Sequence, residues 1–253
     1  MIYRPFGNTG LSISQLGMGC MRLPVIGGDQ ANIDKPQATE MFDYAIDHGV
    51  NYFDTAYFYH KGFSEVFVGE YFAQKKNRKD IILTTKLPPA LAQSDGAQNV
   101  LDGQMKKLQT DYLDFYIFHQ INAKTWPIIK ELDLLSFMEE QKKKGVIRNI
   151  GFSFHDEAGV FRRILDSCDW DVCQVQMNLL DERHQATMDG VRLAGKRGVG
   201  VNIMEPLRGG ALTKTAPAAV DALYEAAVPG RSRAEWAFRY LLDRPEVTTI
   251  LSG

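Results

Sequence analysis

The chain has 253 residues, 45% hydrophobic and 24% charged, with a formal net charge of -2, the balance of a soluble globular enzyme in one domain spanning 1–253. That charge gives no electrostatic reason to expect nucleic acid or membrane as a partner, no apolar run approaches bilayer-spanning length, and Met1–Pro5 lacks a signal-peptide core. Three scattered cysteines, Cys20, Cys168 and Cys173, suit neither a disulfide framework nor a four-ligand metal site, so a cytoplasmic location and no metal are expected.

The opening stretch Tyr3–Ser14 reads as a β-hairpin turning on Asn8-Thr9-Gly10. Short apolar, β-prone runs then alternate with longer segments of helical period. Strands are predicted at Gln15–Cys20, Val50–Phe53, Ile81–Thr85, Phe115–Phe118, Val146–Gly151, Val172–Gln176, Gly198–Met204 and Val247–Leu251. Between them lie amphipathic stretches at Pro36–His48, Val100–Leu108, Leu132–Lys144, Asp156–Asp166, Arg183–Arg197 and Arg233–Leu242. Glycine follows the helix end at His48-Gly49, Lys144-Gly145 and Arg197-Gly198. The basic run Gln141-Lys142-Lys143-Lys144 falls at a predicted helix end, where it complements the dipole.

Strands alternating with helices predict a parallel sheet, open or closed. An open dinucleotide-binding sheet needs a glycine fingerprint after its first strand, and here the strand runs into Met21-Arg22-Leu23-Pro24. The pattern Gly195-Lys196-Arg197-Gly198-Val199-Gly200 precedes a strand instead of opening a helix. The expected fold class is therefore α/β, a (β/α)8 TIM barrel whose bottom the N-terminal β-hairpin closes. The sequence ends at Leu251-Ser252-Gly253 with no eighth helix. The last outer helix is missing from this chain, apolar surface is expected between the first and last crossovers, and a longer polypeptide is expected.

Polar residues at the C-terminal ends of barrel strands form active sites. Asp54 ends the second strand and Tyr59 follows it; Lys86 ends the third, His119 the fourth and Ser153 the fifth. The sixth carries Gln174 and Gln176, and Glu205–Gly210 follows the seventh. Taken singly, each has a bland alternative. Asp54-Thr55 suits a helix cap, Lys86 a solvated loop residue, His119 a satisfied core histidine and Tyr57-Phe58-Tyr59 simple packing. Together they fit carbonyl reduction, which needs a hydride on carbon and a proton on oxygen. A free tyrosine, with a pKa of about 10, is a sluggish acid at neutral pH. A lysine cation beside it lowers that value, and a buried lysine needs a carboxylate partner. Tyr59, Lys86 and Asp54 fit donor, tuner and anchor, and His119 fits a group that orients the substrate carbonyl or assists proton transfer.

Asn51–Tyr59, Thr84–Leu87, Asp111–His119, Arg148–Ser153 and Cys173–Asn178 resemble successive motifs of the aldo-keto reductase family. The resemblance covers essentially the whole chain. It implies a catalytic tetrad of Asp54, Tyr59, Lys86 and His119. It also implies Ser153 and Gln174 against the nicotinamide carboxamide, Met204 against the nicotinamide ring, and Leu207, Arg208 and Gly209 around the pyrophosphate. The implied cofactor is NADPH, with NADH open because the family's adenosine-phosphate residues lie after strand eight. The sequence departs from the family at three places. His60–Glu65 is longer than the usual Gly-x-Ser-Glu, Phe154 replaces a carboxamide-binding asparagine, and Met204 replaces an aromatic residue. The phrases Gly151–Asp156 and Met204–Gly210 are similar to a bacterial and archaeal branch whose members often continue into a ferredoxin-like extension. An iron–sulfur cluster would be implied only by such an extension beyond this chain.

The expected function is NAD(P)H-dependent reduction of an aldehyde or ketone, with a small-molecule carbonyl substrate as the partner. The alternatives are a nicotinamide-nucleotide-binding sensor subunit without turnover and a lyase or isomerase using Lys86 as a Schiff base. Pro24–Ile33, Leu87–Ala97 and Ile121–Pro127 are the candidate substrate loops, with Tyr57, Phe58 and Trp126 as candidate pocket walls.

Overall fold

The computed structural model describes residues 1–75, 77–214 and 216–252. Its first elements are β1 (Tyr3–Pro5) and β2 (Ser12–Ser14), an antiparallel ribbon that forms the expected hairpin. Eight parallel strands follow: β3 (Leu16–Gly19), β4 (Tyr52–Asp54), β5 (Ile82–Leu87), β6 (Leu113–Ile121), β7 (Ile147–Phe154), β8 (Val172–Gln176), β9 (Gly200–Met204) and β10 (Val247–Ser252). Each pairs with the next, and β10 returns to β3 with Ile250 opposite Leu16, closing the barrel. Closure leaves no sheet edge, and β-branched and aromatic residues suit strands covered on both faces.

The hairpin works as a plug. Phe6 and Ile13 are fully buried against the inward-facing Tyr52, Phe115 and Val172, with the Phe6 ring 5.0 Å from that of Phe115. The Asn8 N–H also donates to the Gly198 carbonyl at 2.8 Å. A Cβ on Gly200 would collide with the Phe6 ring, so this bare backbone lets the plug seat. With one end filled, the open end is the other, at the C-terminal ends of the strands.

The outer layer comprises α1 (Lys35–Asp47), α2 (Ser64–Lys75), α3 (Pro89–Asp95), α4 (Ala97–Leu108), α5 (Trp126–Glu131), α6 (Leu134–Lys143), α7 (Ala158–Leu165), α8 (Thr187–Lys196), α9 (Ala211–Lys214), α10 (Ala218–Ala227) and α11 (Arg233–Leu242). The helix expected over Leu132–Lys144 starts later, because Asp133 adopts φ 48° and separates α5 from α6. The glycine pattern 195–200 is the end of α8, a left-handed turn at Gly198 and the start of β9. Among the described residues no helix follows β10, and on α1, the first crossover, Met41 and Tyr44 are exposed. On β10 itself Val247 and Ile250 are fully buried, and α11 lies against the strand. No helix among the described residues is long and apolar enough to cross a membrane.

Candidate active site

The parallel register between β4 and β5 sets Asp54 opposite Thr84. Lys86, two residues on and on the same strand face, therefore points toward the same interior. Its Nζ donates to Asp54 Oδ1 at 2.8 Å, to Asp54 Oδ2 at 2.7 Å and to the Thr55 carbonyl at 2.8 Å. Lys86 is 1% exposed and Asp54 2% exposed. Burial penalises both charges and holds the Asp54 carboxyl above its usual range. Burial also works against the Lys86 ammonium, but Asp54 and Tyr59 outweigh it and raise the lysine pKa. Three carbonyl and carboxylate oxygens around Nζ match the donors of an ammonium, so the pair is ionic.

Tyr59 begins a 3-10 turn, Tyr59–Gly62, directly after β4, and its hydroxyl lies 3.4 Å from Lys86 Nζ. One expectation is overturned here. Lys86 was expected to leave Tyr59 with a lowered pKa, but the net direction is upward. Desolvation is the largest influence, the lysine cation offsets only part of it, and the Asp54 carboxylate adds to the rise.

His119 stands at a register shift between Phe118 and Ile121, where Gln120 takes φ 56°. Such an irregularity re-aims a side chain at a barrel rim. The His119 ring meets that of Tyr59 edge-on at 6.0 Å and stacks near Phe58 at 6.5 Å. Burial, then the Lys86 cation and His155, depress its pKa to about 3, so the imidazole is neutral at physiological pH.

These side chains open into a cavity of about 480 Å³. Ser153, Gln174, Met204, Leu207 and Gly209 also line it. Arg208 does not: its half-exposed guanidinium turns outward to Asp181 at 3.5 Å. Ser153 Oγ accepts the Gln120 N–H at 2.8 Å and donates to the Phe118 carbonyl at 3.4 Å. Gln174 places Nε2 4.0 Å from Met204 Sδ and leaves a buried Oε1 with no partner. Phe154 is fully buried against Phe161, on the opposite strand face from Ser153.

The three loops proposed from sequence as substrate loops contribute no lining residue; Phe58 lines the cavity, while Tyr57 and Trp126 do not. Instead Met21, Arg22, Gln120, His155 and Glu205 border it. The strand-end rule carried over to the first strand would have found Met21-Arg22, and period-two spacing from Ser153 would have found His155. Among the described residues no cluster of three or more His, Cys, Asp or Glu side chains is arranged to hold a metal ion.

The model of the aldo/keto reductase family matches residues 15–253. The chain belongs to that family. This aldo/keto reductase is 30% identical over 245 residues to YrpG, an uncharacterized oxidoreductase of Bacillus subtilis, covering 84% of this chain and 68% of YrpG. It is 27% identical over 272 residues to an L-galactose dehydrogenase of Arabidopsis thaliana, covering 99% of this chain and 83% of that protein. The holo form of an aldo-keto reductase from Bacillus halodurans superposes on it with a TM-score of 0.81 at 27% identity, covering 100% of this chain and 86% of that one. Family membership makes the chain an oxidoreductase.

Proposed function

We propose that this barrel is a cytoplasmic reductase that uses NADPH to convert an aldehyde or ketone to an alcohol, with Tyr59 as the proton donor. The observation that carries the reading is the Asp54–Lys86–Tyr59 chain, a buried ion pair 3.4 Å from a phenol at the floor of an open cavity. A nicotinamide suits the wall beside it. The partnerless Gln174 Oε1 is an acceptor for a carboxamide N–H, and the Met204 thioether offers a soft surface for a ring. Leu207 and Gly209 would flank the phosphates. When bound, the reduced nicotinamide supplies a hydride to a carbonyl carbon.

The chain's own groups manage the oxygen. Neutral His119 donates a hydrogen bond that orients the carbonyl, and its depressed pKa keeps it from competing as a charged acid. Tyr59 gives its proton to the developing alkoxide, and Lys86 stabilises the phenolate that remains. Asp54 keeps Lys86 charged throughout. That pairing disfavours a Schiff base on Lys86, which needs a neutral amine. A sensor without turnover has no use for a tuned phenol.

The test is a titration of NADPH, with NADH alongside, followed by nicotinamide fluorescence and by NADPH oxidation with 4-nitrobenzaldehyde. Saturable binding and turnover are expected, with turnover lost in Tyr59→Phe. Binding without turnover in the parent chain would leave the sensor reading standing and overturn this one.

A further inference from the structure

The structure shows what the residues directly after Tyr59 do. His60 and Lys61 take φ 51° and 54°, a left-handed pair that residues other than glycine hold only when their surroundings impose it. The result turns the His60 ring inward, where it is 4% exposed. The Leu23 N–H donates to His60 Nε2 at 3.0 Å. That bond fixes the tautomer, because Nε2 must be the acceptor. Nδ1 then carries the proton and donates to the Gln30 carbonyl at 3.0 Å. One imidazole thus grips the loop between β3 and α1 at two points. The loop is braced internally by Ile26 N–H to the Asn32 carbonyl and Asp34 N–H to the Pro24 carbonyl, at 2.9 and 2.8 Å. Its near end carries Met21 and Arg22 into the cavity wall.

We propose that His60 is a positioning residue whose neutral imidazole clamps the Cys20–Ile33 loop to the turn presenting Tyr59, and so sets the shape of the substrate mouth. The clamp itself is a matter of geometry; its effect on turnover rests on the reductase reading. Protonation would place an N–H on Nε2 facing the Leu23 N–H, turning an attraction into a repulsion. Burial holds the His60 pKa below its ordinary value, against a smaller opposite pull from the Gln30 carbonyl, so the clamp is closed at neutral pH. The charged groups on the packed elements have other engagements. Lys61 pairs with Asp29 at 2.9 Å, Asp34 caps α1 through the Gln37 N–H, Arg22 borders the cavity, and Glu65 on α2 is held by Thr85, Gln104 and Lys107.

Amide hydrogen exchange, corrected for intrinsic rates, tests this on the full chain alongside NADPH–4-nitrobenzaldehyde kinetics. In His60→Phe, protection of the loop amides around Leu23 is expected to fall about tenfold while β5 and β6 keep theirs, as for one lost hydrogen bond in a locally opening segment. In His60→Gln, whose Oε1 can meet the Leu23 N–H, most of that protection returns. kcat/KM follows the same order, and wild-type loop protection falls between about pH 7 and pH 5 while that of His60→Gln does not. Unchanged loop protection in a folded His60→Phe overturns the proposal. So does wild-type loop protection that is constant over that pH range, a measurement needing no variant. A wild type without turnover whose loop protection still follows His60 sinks the reductase reading and leaves the clamp standing. An active wild type whose loop ignores His60 sinks the clamp alone.

Discussion

Tyr52 and Tyr59 sit in two layers of one barrel, and their surroundings differ in kind. Tyr52 is fully buried above the hairpin plug, where its hydroxyl accepts hydrogen bonds from Thr84 Oγ1 at 2.8 Å and Asn202 Nδ2 at 2.6 Å. Burial and the Asp54 charge push its pKa upward, and no cation answers them. Tyr59 feels the same two influences, but Lys86 works against them and the ring borders an open cavity. The lower layer is therefore built to hold a phenol neutral and still. In the upper layer the neutral phenol is held beside a cation that would stabilise its loss of a proton. A tyrosine in a barrel is chemically ordinary until a charge and an opening are supplied together.

The largest contrast is expected in turnover. Replacing the proposed donor, Tyr59→Phe, should lower kcat by about 10²–10⁴-fold, the usual worth of a positioned acid. NADPH binding and thermal stability should remain near those of the parent chain. Tyr52→Phe should leave kcat unchanged. Steady-state kinetics on both variants checks this, and a Tyr52→Phe enzyme that loses turnover would erase the distinction between the layers.

Lys86→Met tests what the cation does for its own layer. It strands the Asp54 carboxylate, 2% exposed, without a partner, so a loss of about 3–5 kcal/mol is expected by urea denaturation. Turnover should vanish too. Adding Asp54→Leu should restore much of the stability and none of the activity, because the penalty lies in the unpaired charge. Tyr52→Phe is expected to cost less, about 1–3 kcal/mol, since it leaves the Thr84 and Asn202 donors without an acceptor.

The two layers were unequally legible in the sequence. Alternating apolar runs and helical stretches exposed the barrel, and strand-end polar residues exposed the upper layer, because both are written as local periodicity. Helix α2 left no amphipathic trace because Glu65, Phe67, Val68, Gly69, Tyr71 and Phe72 are all buried. Helix α10 was missed as well, and it has no buried residue. Residues that reach the cavity from the β3 loop, and the grip of His60 on that loop, depend on contacts between distant segments. The direction of the Tyr59 pKa was misjudged because sequence shows the neighbouring lysine but not the depth of burial, and burial is the larger influence. Arg208 followed the family pattern in sequence but faces Asp181, a partner no spacing revealed.

The smallest expected effect separates the layers by pH. His119, 9% exposed, is neutral when folded because its pKa is depressed from 6.5 to about 3. Between those values the unfolded chain binds a proton that the folded chain refuses. Stability from this group is therefore complete above pH 6.5 and declines as pH falls toward 3, with a slope of at most about 1.4 kcal/mol per pH unit. Paired carboxylates elsewhere lose stability in acid as well, so the informative quantity is the difference from His119→Gln. Between about pH 7 and pH 5 the urea midpoint of the parent chain should fall further than that of His119→Gln. The Tyr52 layer contains no imidazole, so Tyr52→Phe should shift the midpoint by the same amount at both pH values. If His119→Gln shifts it equally at both as well, the imidazole titrates normally in the folded chain and the upper layer is wetter than its burial implies.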